Sequence, residues 1–135
     1  MFEILVPIDT DESRVERQIR TILEFPIKTD TVSVTVLHVF SDNPAGASIS
    51  QLQTARSAEE RLEAAGIDVR LDERSGDPAP EILAYADEID ADLVCLAGRK
   101  RSPTGKALFG SVTQDVILST DRSVLIAGSS ETSRS

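Results

Sequence analysis

The chain has 135 residues, enough for one domain and too few for a separate catalytic domain beside it. It carries 23 Asp and Glu against 14 Lys and Arg, and a surface with a formal net charge of −9 repels nucleic acid. No apolar run is long enough to span a membrane, and the first residues lack the features of a secretory signal, so we expect a cytoplasmic protein without membrane contact. Because salt screens self-repulsion, the acidity also suits a high-salt cytoplasm, and we expect a halophilic protein.

Five segments rich in Val, Ile and Leu predict strands, at 2–8, 31–40, 67–73, 91–98 and 123–128. Between them, apolar residues recur at helical spacing, so strand and helix alternate along the whole chain. This alternation is typical of a parallel sheet whose strands are joined by right-handed crossovers, with helices on both faces. The first and fourth strands are nearly continuous apolar runs, and we expect them in the middle of the sheet.

Residues with known preferences for helix ends support these boundaries. Thr10 and Asp11 are suited to cap the first helix, and Gly66 follows the second helix, where a left-handed residue is favoured. Asp77 and Pro78 supply a cap and a proline at the first position of the third helix. The pattern therefore predicts one α/β domain.

The connection after the fourth strand concentrates positive charge in an otherwise acidic chain. Its sequence from Gly98 to Ser111 is GRKRSPTGKALFGS, which includes Arg99, Lys100, Arg101 and Lys106. Ligands of open α/β sheets bind at the carboxyl ends of the strands, where this loop and Asp9 are both expected. The last helix begins at Gly110 and Ser111, and its free N–H groups favour an anion. Two interpretations stay open, a phosphate site and a loop that only turns the chain and pairs with surface carboxylates.

Two nucleotide-binding motifs are excluded by spacing. A P-loop has four residues between its first Gly and Gly-Lys, whereas six separate Gly98 from Gly105, and Ala107 stands where Ser or Thr would bind magnesium. The dinucleotide motif G-x-G-x-x-G is absent after the first strand, where VPIDTDES stands instead. A nicotinamide-dependent oxidoreductase is therefore not expected.

The sequence contains no group of residues that indicates nucleophilic or metal catalysis. Its only histidine, His38, ends an apolar strand and is expected to be packed rather than catalytic. The single Cys95 lies in DLVCLA and is expected in the core, which leaves no disulfide or zinc cluster. Asp9 has two interpretations that stay open, a helix cap and a ligand contact.

The ordered segments as a set resemble the universal stress protein family. The resemblance covers nearly the whole chain, through ILVPIDTDES at 4–13, VLHV at 36–39, GDPAPEILAYADEIDADLV at 76–94, FGSVTQDVIL at 109–118 and the final SVLIAG. It implies a single-domain Rossmann-like fold of the adenine nucleotide alpha hydrolase type, with a five-stranded parallel sheet of order 3-2-1-4-5. The acidic composition indicates a haloarchaeal type of member, with the family domain at 1–129 and a disordered tail at 130–135.

The resemblance also implies a ligand site, by analogy with the ATP-binding branch of the family. Pro7, Ile8, Asp9 and Val39 would line the adenine and ribose end. The phosphates would be held by residues of the loop and the last helix, namely Gly98, Arg99, Lys100, Arg101, Gly110, Ser111, Val112 and Thr113. The ligand would be ATP or AMP, with magnesium if ATP binds, and no cofactor is required. Arg101 replaces the second glycine of that branch's motif, and the spacing to Gly110 is one residue short. Two outcomes stay open: the side chain obstructs the phosphates, or the added Arg and Lys replace backbone contacts by charge pairing.

The sequence thus predicts a regulatory binding protein, not an enzyme, although slow incidental ATP hydrolysis stays open. The alternative is a dimeric interaction or scaffold protein whose pocket is vestigial. A small phosphatase or kinase fragment is disfavoured by the missing nucleophile, base and metal cluster. The resemblance to the family implies a homodimer through the last strand, at 123–128. The same pairing is expected because this apolar strand should lie at an edge of the sheet, where its backbone groups are unpaired.

Overall fold

The computed structural model describes residues 1–26, 28–41, 48–98 and 109–128. These hold five strands, β1 (Phe2–Pro7), β2 (Val32–Phe40), β3 (Asp68–Ser75), β4 (Leu93–Ala97) and β5 (Ser123–Ala127). They also hold four α-helices, α1 (Glu12–Glu24), α2 (Gln53–Ala64), α3 (Pro78–Glu88) and α4 (Ser111–Ser119), with short 3₁₀ turns at Thr29–Thr31 and Ile49–Gln51. The predicted tail and the basic residues between Gly98 and Phe109 lie outside the described residues.

The five strands form one parallel sheet in the order β3-β2-β1-β4-β5, as predicted. β1 is the central strand and pairs with β2 over its whole length, from Phe2 opposite Val32 to Pro7 opposite Leu37. Its pairing with β4 is shorter, since the register covers only Ile4 and Leu5. β1 and β4 therefore diverge toward their carboxyl ends, where a cleft opens.

Each face of the sheet packs against its own pair of helices. Ile4, Val6 and Cys95 belong to the core on the side of α1 and α2, whereas Leu5 and Leu96 belong to the core on the side of α3 and α4. Alternate residues of β1 and β4 thus enter opposite cores, as the two-residue repeat of a strand requires. Burial on both faces explains why these strands are nearly continuous apolar runs.

The ends of α2 and α3 share one geometry. Gly66 follows α2 with φ of 85°, and the N–H groups of Gly66 and Ile67 donate to carbonyls of the last turn of the helix. This is a Schellman motif, and it confirms the prediction for Gly66. Asp90 takes the same position after α3 with φ of 51°, which is uncommon for a residue with a side chain.

The helix starts only partly follow the predictions. Asp11 is the N-cap of α1, and its carboxylate accepts the N–H of Arg14 at 3.0 Å. Asp77 precedes Pro78 at the start of α3 but makes no cap hydrogen bond with its side chain, so only the position of that cap is confirmed. None of the described helices is long and apolar enough to cross a lipid bilayer.

The two edges of the sheet differ in charge. β3 carries charged side chains along most of its length, namely Asp68, Arg70, Asp72, Glu73 and Arg74. β5 has the sequence SVLIA and carries none. Charged side chains on an edge strand oppose pairing with another chain, so β3 is a protected edge and β5 is not.

Candidate functional site

A cleft of about 720 Å³ opens at the carboxyl ends of β1, β2 and β4. Its described lining includes residues that the sequence predicted at both ends of the ligand site, namely Pro7, Ile8, Asp9, Val39, Gly110, Ser111, Val112 and Thr113. The structure therefore brings these residues together, at the place where open α/β sheets bind ligands.

One wall of the cleft is apolar. Leu37, Val39, Ile82 and Leu96 line it and belong to the core between the sheet and α3–α4. Val112, at the start of α4, packs against the same core and also faces the cleft. A flat apolar group, such as a nucleobase, fits a wall of this kind because small-molecule sites are lined mainly by apolar side chains.

The N-terminus of α4 forms another part of the cleft. Gly110 is the N-cap, and the first hydrogen bond of the helix runs from the N–H of Gln114 to the carbonyl of Gly110 at 2.9 Å. The N–H groups of Ser111, Val112 and Thr113 precede that bond and have no carbonyl partner within the helix. These three donors, together with the positive end of the helix dipole, favour an anion.

The hydroxyl of Thr113 fixes the start of α4 to the sheet. Its Oγ1 donates to the carbonyl of Ala97, the last residue of β4, at 3.3 Å. The position of the helix N-terminus over the cleft is therefore set by a direct bond to the strand that ends there.

Asp9 is not the cap of α1, since Asp11 holds that position. The Oδ1 of Asp9 accepts the N–H of Asp11 at 3.0 Å, and its Oδ2 accepts the Nε–H of Arg14 at 2.8 Å. Asp9 and Arg14 thus form an ion pair in the lining of the cleft.

The neighbouring Asp11 has a pKa below its ordinary value, because its carboxylate accepts the hydrogen bond from the N–H of Arg14, an effect that burial opposes.

The half-buried ring of His38 also lines the cleft. Its Nδ1 lies 2.9 Å from the carbonyl oxygen of Ile8. A carbonyl only accepts, so this nitrogen carries the proton, and Nε2 is the acceptor of the neutral ring. The ring meets Phe40 edge-on with centroids 4.5 Å apart. His38 is therefore packed and hydrogen-bonded, as expected, and is in addition part of the cleft.

Gly98 lies at the end of β4 but is not among the residues that line the cleft. Its N–H donates to the carbonyl of Ala127, and its carbonyl accepts from the guanidinium of Arg17 at 2.7 Å. Arg17 is only 8% exposed, and its Nε has no hydrogen-bond partner among the described residues. Arg99, Lys100 and Arg101 lie outside the described residues, so their predicted role stays a prediction.

Several lining residues were missed by the sequence analysis, above all Arg14 and Gln18. The side-chain amide of Gln18 is buried and donates to the carbonyls of Pro7 and Cys95. Gln18 lies three residues after Val15 and four before Ile22, so helical spacing could have placed it on the buried face of α1. No apolar residue lies three or four positions from Arg14, and its side chain is 39% exposed, so spacing gave no signal for it.

The described lining offers magnesium no unpaired carboxylate, since Asp9 supplies the only one and is already paired with Arg14. Nor do any three His, Cys, Asp or Glu side chains in the described parts of the chain cluster closely enough to hold a metal ion.

The sequence model of the universal stress protein family matches residues 1–128. Among curated proteins, a universal stress protein of Mycolicibacterium smegmatis is 28% identical over 99 residues, which are 73% of this chain and 76% of the relative. The stress response protein NhaX of Bacillus subtilis is 36% identical over 56 residues, 42% of this chain. That match covers 34% of the length of NhaX.

Solved structures share the fold over nearly the whole chain. The universal stress protein from Archaeoglobus fulgidus aligns with a TM-score of 0.73 and 30% identity, covering 93% of this chain and 98% of that one. A structure of the universal stress protein from the same organism in complex with dAMP gives a TM-score of 0.69 at 23% identity, covering 93% and 97%. An Arabidopsis thaliana family protein with AMP bound gives 0.72 at 15% identity, covering 98% and 97%.

Proposed function

Since this chain belongs to the universal stress protein family, we propose that it is a regulatory binding protein that holds an adenine nucleotide, or another phosphate-bearing ligand, in the cleft. The observation that carries the proposal is that an apolar wall and the free N-terminus of α4 meet across one cleft of about 720 Å³. Sites for small molecules have volumes of about 300–1,000 Å³ and combine apolar walls with a few polar groups.

The chemistry of the walls gives the ligand an orientation. The base lies against Leu37, Val39 and Ile82, because these side chains form the apolar part of the lining. The phosphate lies at the N–H groups of Ser111, Val112 and Thr113, where the helix dipole favours negative charge. The ribose then lies between these ends, on the side of Pro7, Ile8 and Asp9. In this proposal Arg99, Lys100 and Arg101 add positive charge next to the phosphate.

Relatives support the choice of an adenine nucleotide. The two structures named above contain dAMP and AMP, and both share the fold of this chain. A monophosphate needs fewer donors than a triphosphate, which matters here because Arg101 stands at a glycine position of the motif seen in ATP-binding members. Binding rather than catalysis is the proposed role, since none of the described lining residues pairs a nucleophile with a base.

Calorimetric titration tests the proposal. Purified protein is titrated with AMP, dAMP, ATP and adenosine at one fixed salt concentration. We expect heat of binding with at least one of the nucleotides, and no heat with any of them at millimolar concentration would contradict the proposed function. Any small molecule that copurifies with the protein is identified by its mass.

A variant at the helix N-terminus tests the site itself. Ser111 is exposed at the first position of α4, where aspartate is favourable for a helix, so Ser111→Asp preserves the fold while placing negative charge against the phosphate. We expect nucleotide affinity to fall by about tenfold or more, the effect of roughly 1.4 kcal/mol. Ser57→Asp, exposed on α2, is the control and leaves affinity unchanged. Equal affinity for both variants would contradict this site.

We also propose that two copies of the chain pair through β5, which is the basis of the alternative function as an interaction protein. β5 is an uncharged edge strand, whereas β3 at the other edge is rich in charge. The helix that leads into β5 carries Leu118, which is 76% exposed, more than any other large apolar side chain that the structure describes. An unprotected edge strand and an exposed apolar side chain on the preceding helix both favour association with a second copy.

The mass in solution tests this pairing. We expect a dimer at micromolar concentration and a monomer after Val124→Lys, because lysine on an edge strand opposes pairing. Val69→Lys is the matched control, since Val69 is equally half-buried on the other edge strand and its substitution leaves the dimer intact. A wild-type monomer would contradict the pairing. A dimer that binds no nucleotide would favour the scaffold function over the binding function.

A further inference from the structure

The cleft has no net charge in its described lining, although the chain as a whole has a formal net charge of −9. Asp9 is the only acidic side chain among the described lining residues, and Arg14 is the only Arg or Lys. Apart from the imidazole of His38, the other described lining side chains belong to residue types without an ionisable group. The charge balance of the described cleft thus depends on one ion pair.

The geometry of this pair is fixed at both ends. The Nε–H of Arg14 lies 2.8 Å from Oδ2 of Asp9, and Oδ1 of Asp9 accepts the backbone N–H of Asp11. The backbone N–H of Arg14 is itself bonded to the capping carboxylate of Asp11. The backbone of Arg14 is therefore held in the first turn of α1, and its side chain extends back toward the start of the helix to bind Asp9.

The pair matters for a ligand that carries phosphate. A carboxylate without its guanidinium would place a full negative charge in the same cleft as the phosphate, and two like charges within one cleft repel each other. An unphosphorylated nucleoside has no net charge and would not experience this repulsion. The same carboxylate therefore affects the two kinds of ligand differently.

We propose that Arg14 is a specificity-determining residue that neutralises Asp9 and thereby makes the cleft accept phosphorylated nucleotides in preference to nucleosides. This inference rests on the proposed function, because it concerns the same cleft. Because Arg14 acts by cancelling the charge of Asp9, removing both charges leaves the net charge of the cleft as it is in the wild type. This dependence separates the proposed role from a merely structural one.

A double-mutant cycle tests the inference by the ratio of AMP affinity to adenosine affinity. The proteins are the wild type, Arg14→Gln, Asp9→Asn and the double variant, measured by calorimetry at one moderate ionic strength, since high salt would screen the effect. We expect Arg14→Gln to lower the ratio by about fivefold, as one added like charge in a partly exposed site would. The double variant restores the ratio to within about twofold of the wild type.

A matched control is available on the same helix. Arg20 is paired with Glu16, its side chain is 38% exposed against 39% for Arg14, and it does not line the cleft. Arg20→Gln therefore removes a similar ion pair from α1 and leaves the ratio unchanged. Thermal unfolding of each variant shows that the fold is kept, which we expect because both members of each pair are more than a third exposed.

The outcomes are distinct. An unchanged ratio in Arg14→Gln, or a double variant that stays as low as Arg14→Gln, would overturn the role of Arg14 while the proposed function stands. A wild type that binds neither AMP nor adenosine would overturn the proposed function and this inference together.

Discussion

Gln18 and Cys95 are joined by two contacts between α1 and β4. The side-chain amide of Gln18 donates to the backbone carbonyl of Cys95 at 3.0 Å, and the thiol of Cys95 lies 3.9 Å from the backbone carbonyl of Gln18. The same amide also donates to the carbonyl of Pro7 at 2.8 Å. Gln18 thus spans the gap that opens where β1 and β4 separate, and it forms part of the cleft.

Replacing this glutamine tests how much the bridge stabilises the fold. Gln18→Leu keeps the size of the side chain but leaves the carbonyls of Pro7 and Cys95 without their donor. We expect the free energy of unfolding to fall by about 2 kcal/mol, because unsatisfied buried polar groups are unfavourable. Urea denaturation at fixed salt measures it. Gln114→Leu on the exposed side of α4 is the control, with a change within about 0.5 kcal/mol. Equal effects of the two substitutions would contradict the bridging role.

The phenol of Tyr85 is buried and donates to Oδ2 of Asp72 at 2.8 Å. Burial, together with the hydrogen bond to Asp72 and its charge, raises the pKa of Tyr85 from 10.0 to about 12. The unfolded chain loses this proton near pH 10 while the folded chain keeps it, so the free energy of unfolding falls as pH rises from 10 toward 12. The variant Tyr85→Phe lacks this part of the pH dependence.

Ultraviolet absorbance measures this titration without ambiguity, because the chain contains one tyrosine and no tryptophan. We expect the phenolate signal of the folded protein to appear with a midpoint near pH 12, and that of the protein in urea near pH 10. Circular dichroism on the same samples shows whether the fold is kept. A midpoint near 10 with an intact fold would contradict both the burial of the phenol and its bond to Asp72.

The reactivity of Cys95, the single thiol of the chain, measures how often the folded protein opens. Burial raises the pKa of Cys95 to about 12, and the side chain is fully enclosed. We expect a disulfide reagent to react at least about a thousandfold more slowly with the native protein than with the protein in urea, because only opened molecules expose the thiolate. The control is Ser57→Cys in a Cys95→Ala background, which places the thiol on the surface. Fast reaction of the native wild type would contradict the enclosed position.

Asp90 adopts a left-handed conformation that glycine adopts without strain. We expect Asp90→Gly to be neutral or to stabilise the protein by about 0.5 kcal/mol, whereas Asp90→Ala destabilises it by about 1 kcal/mol. The guanidinium of Arg122 keeps its bonds to Asp87 and to the carbonyl of Ala91 in both variants. Urea denaturation measures the difference. Gly66→Ala is the comparison at the matching position after α2, with a loss of about 1 kcal/mol.

The positions of the strands follow from features that a sequence displays directly, whereas their full order was implied by the resemblance to the universal stress protein family. Segments rich in Val, Ile and Leu predicted all five strands, and the carboxyl-end rule for open sheets predicted Asp9 and the connection after β4 at one edge of the sheet. These predictions rest on periodicity and topology, which depend on many residues at once and tolerate single exceptions.

Single polar contacts could not be predicted in the same way. The sequence offered two roles for Asp9, and its pairing with Arg14 belongs to neither, because that bond depends on the turn between them and on one rotamer. Helical spacing could place Gln18 on the buried face of α1, but its two acceptors could not be predicted, for a related reason. A buried amide looks like any polar helix residue until the positions of Pro7 and Cys95 show that two carbonyls need a donor.

The unequal edges of the sheet also limit how many copies can join. Because the side chains of β3 resist lateral addition and β5 does not, each chain offers a single site for strand pairing. In the pairing proposed above, two chains would cover each other's β5, and the dimer would present only its two charged β3 edges. Growth into a filament would therefore stop at the dimer, and the apolar last strand would not remain exposed as an aggregation hazard.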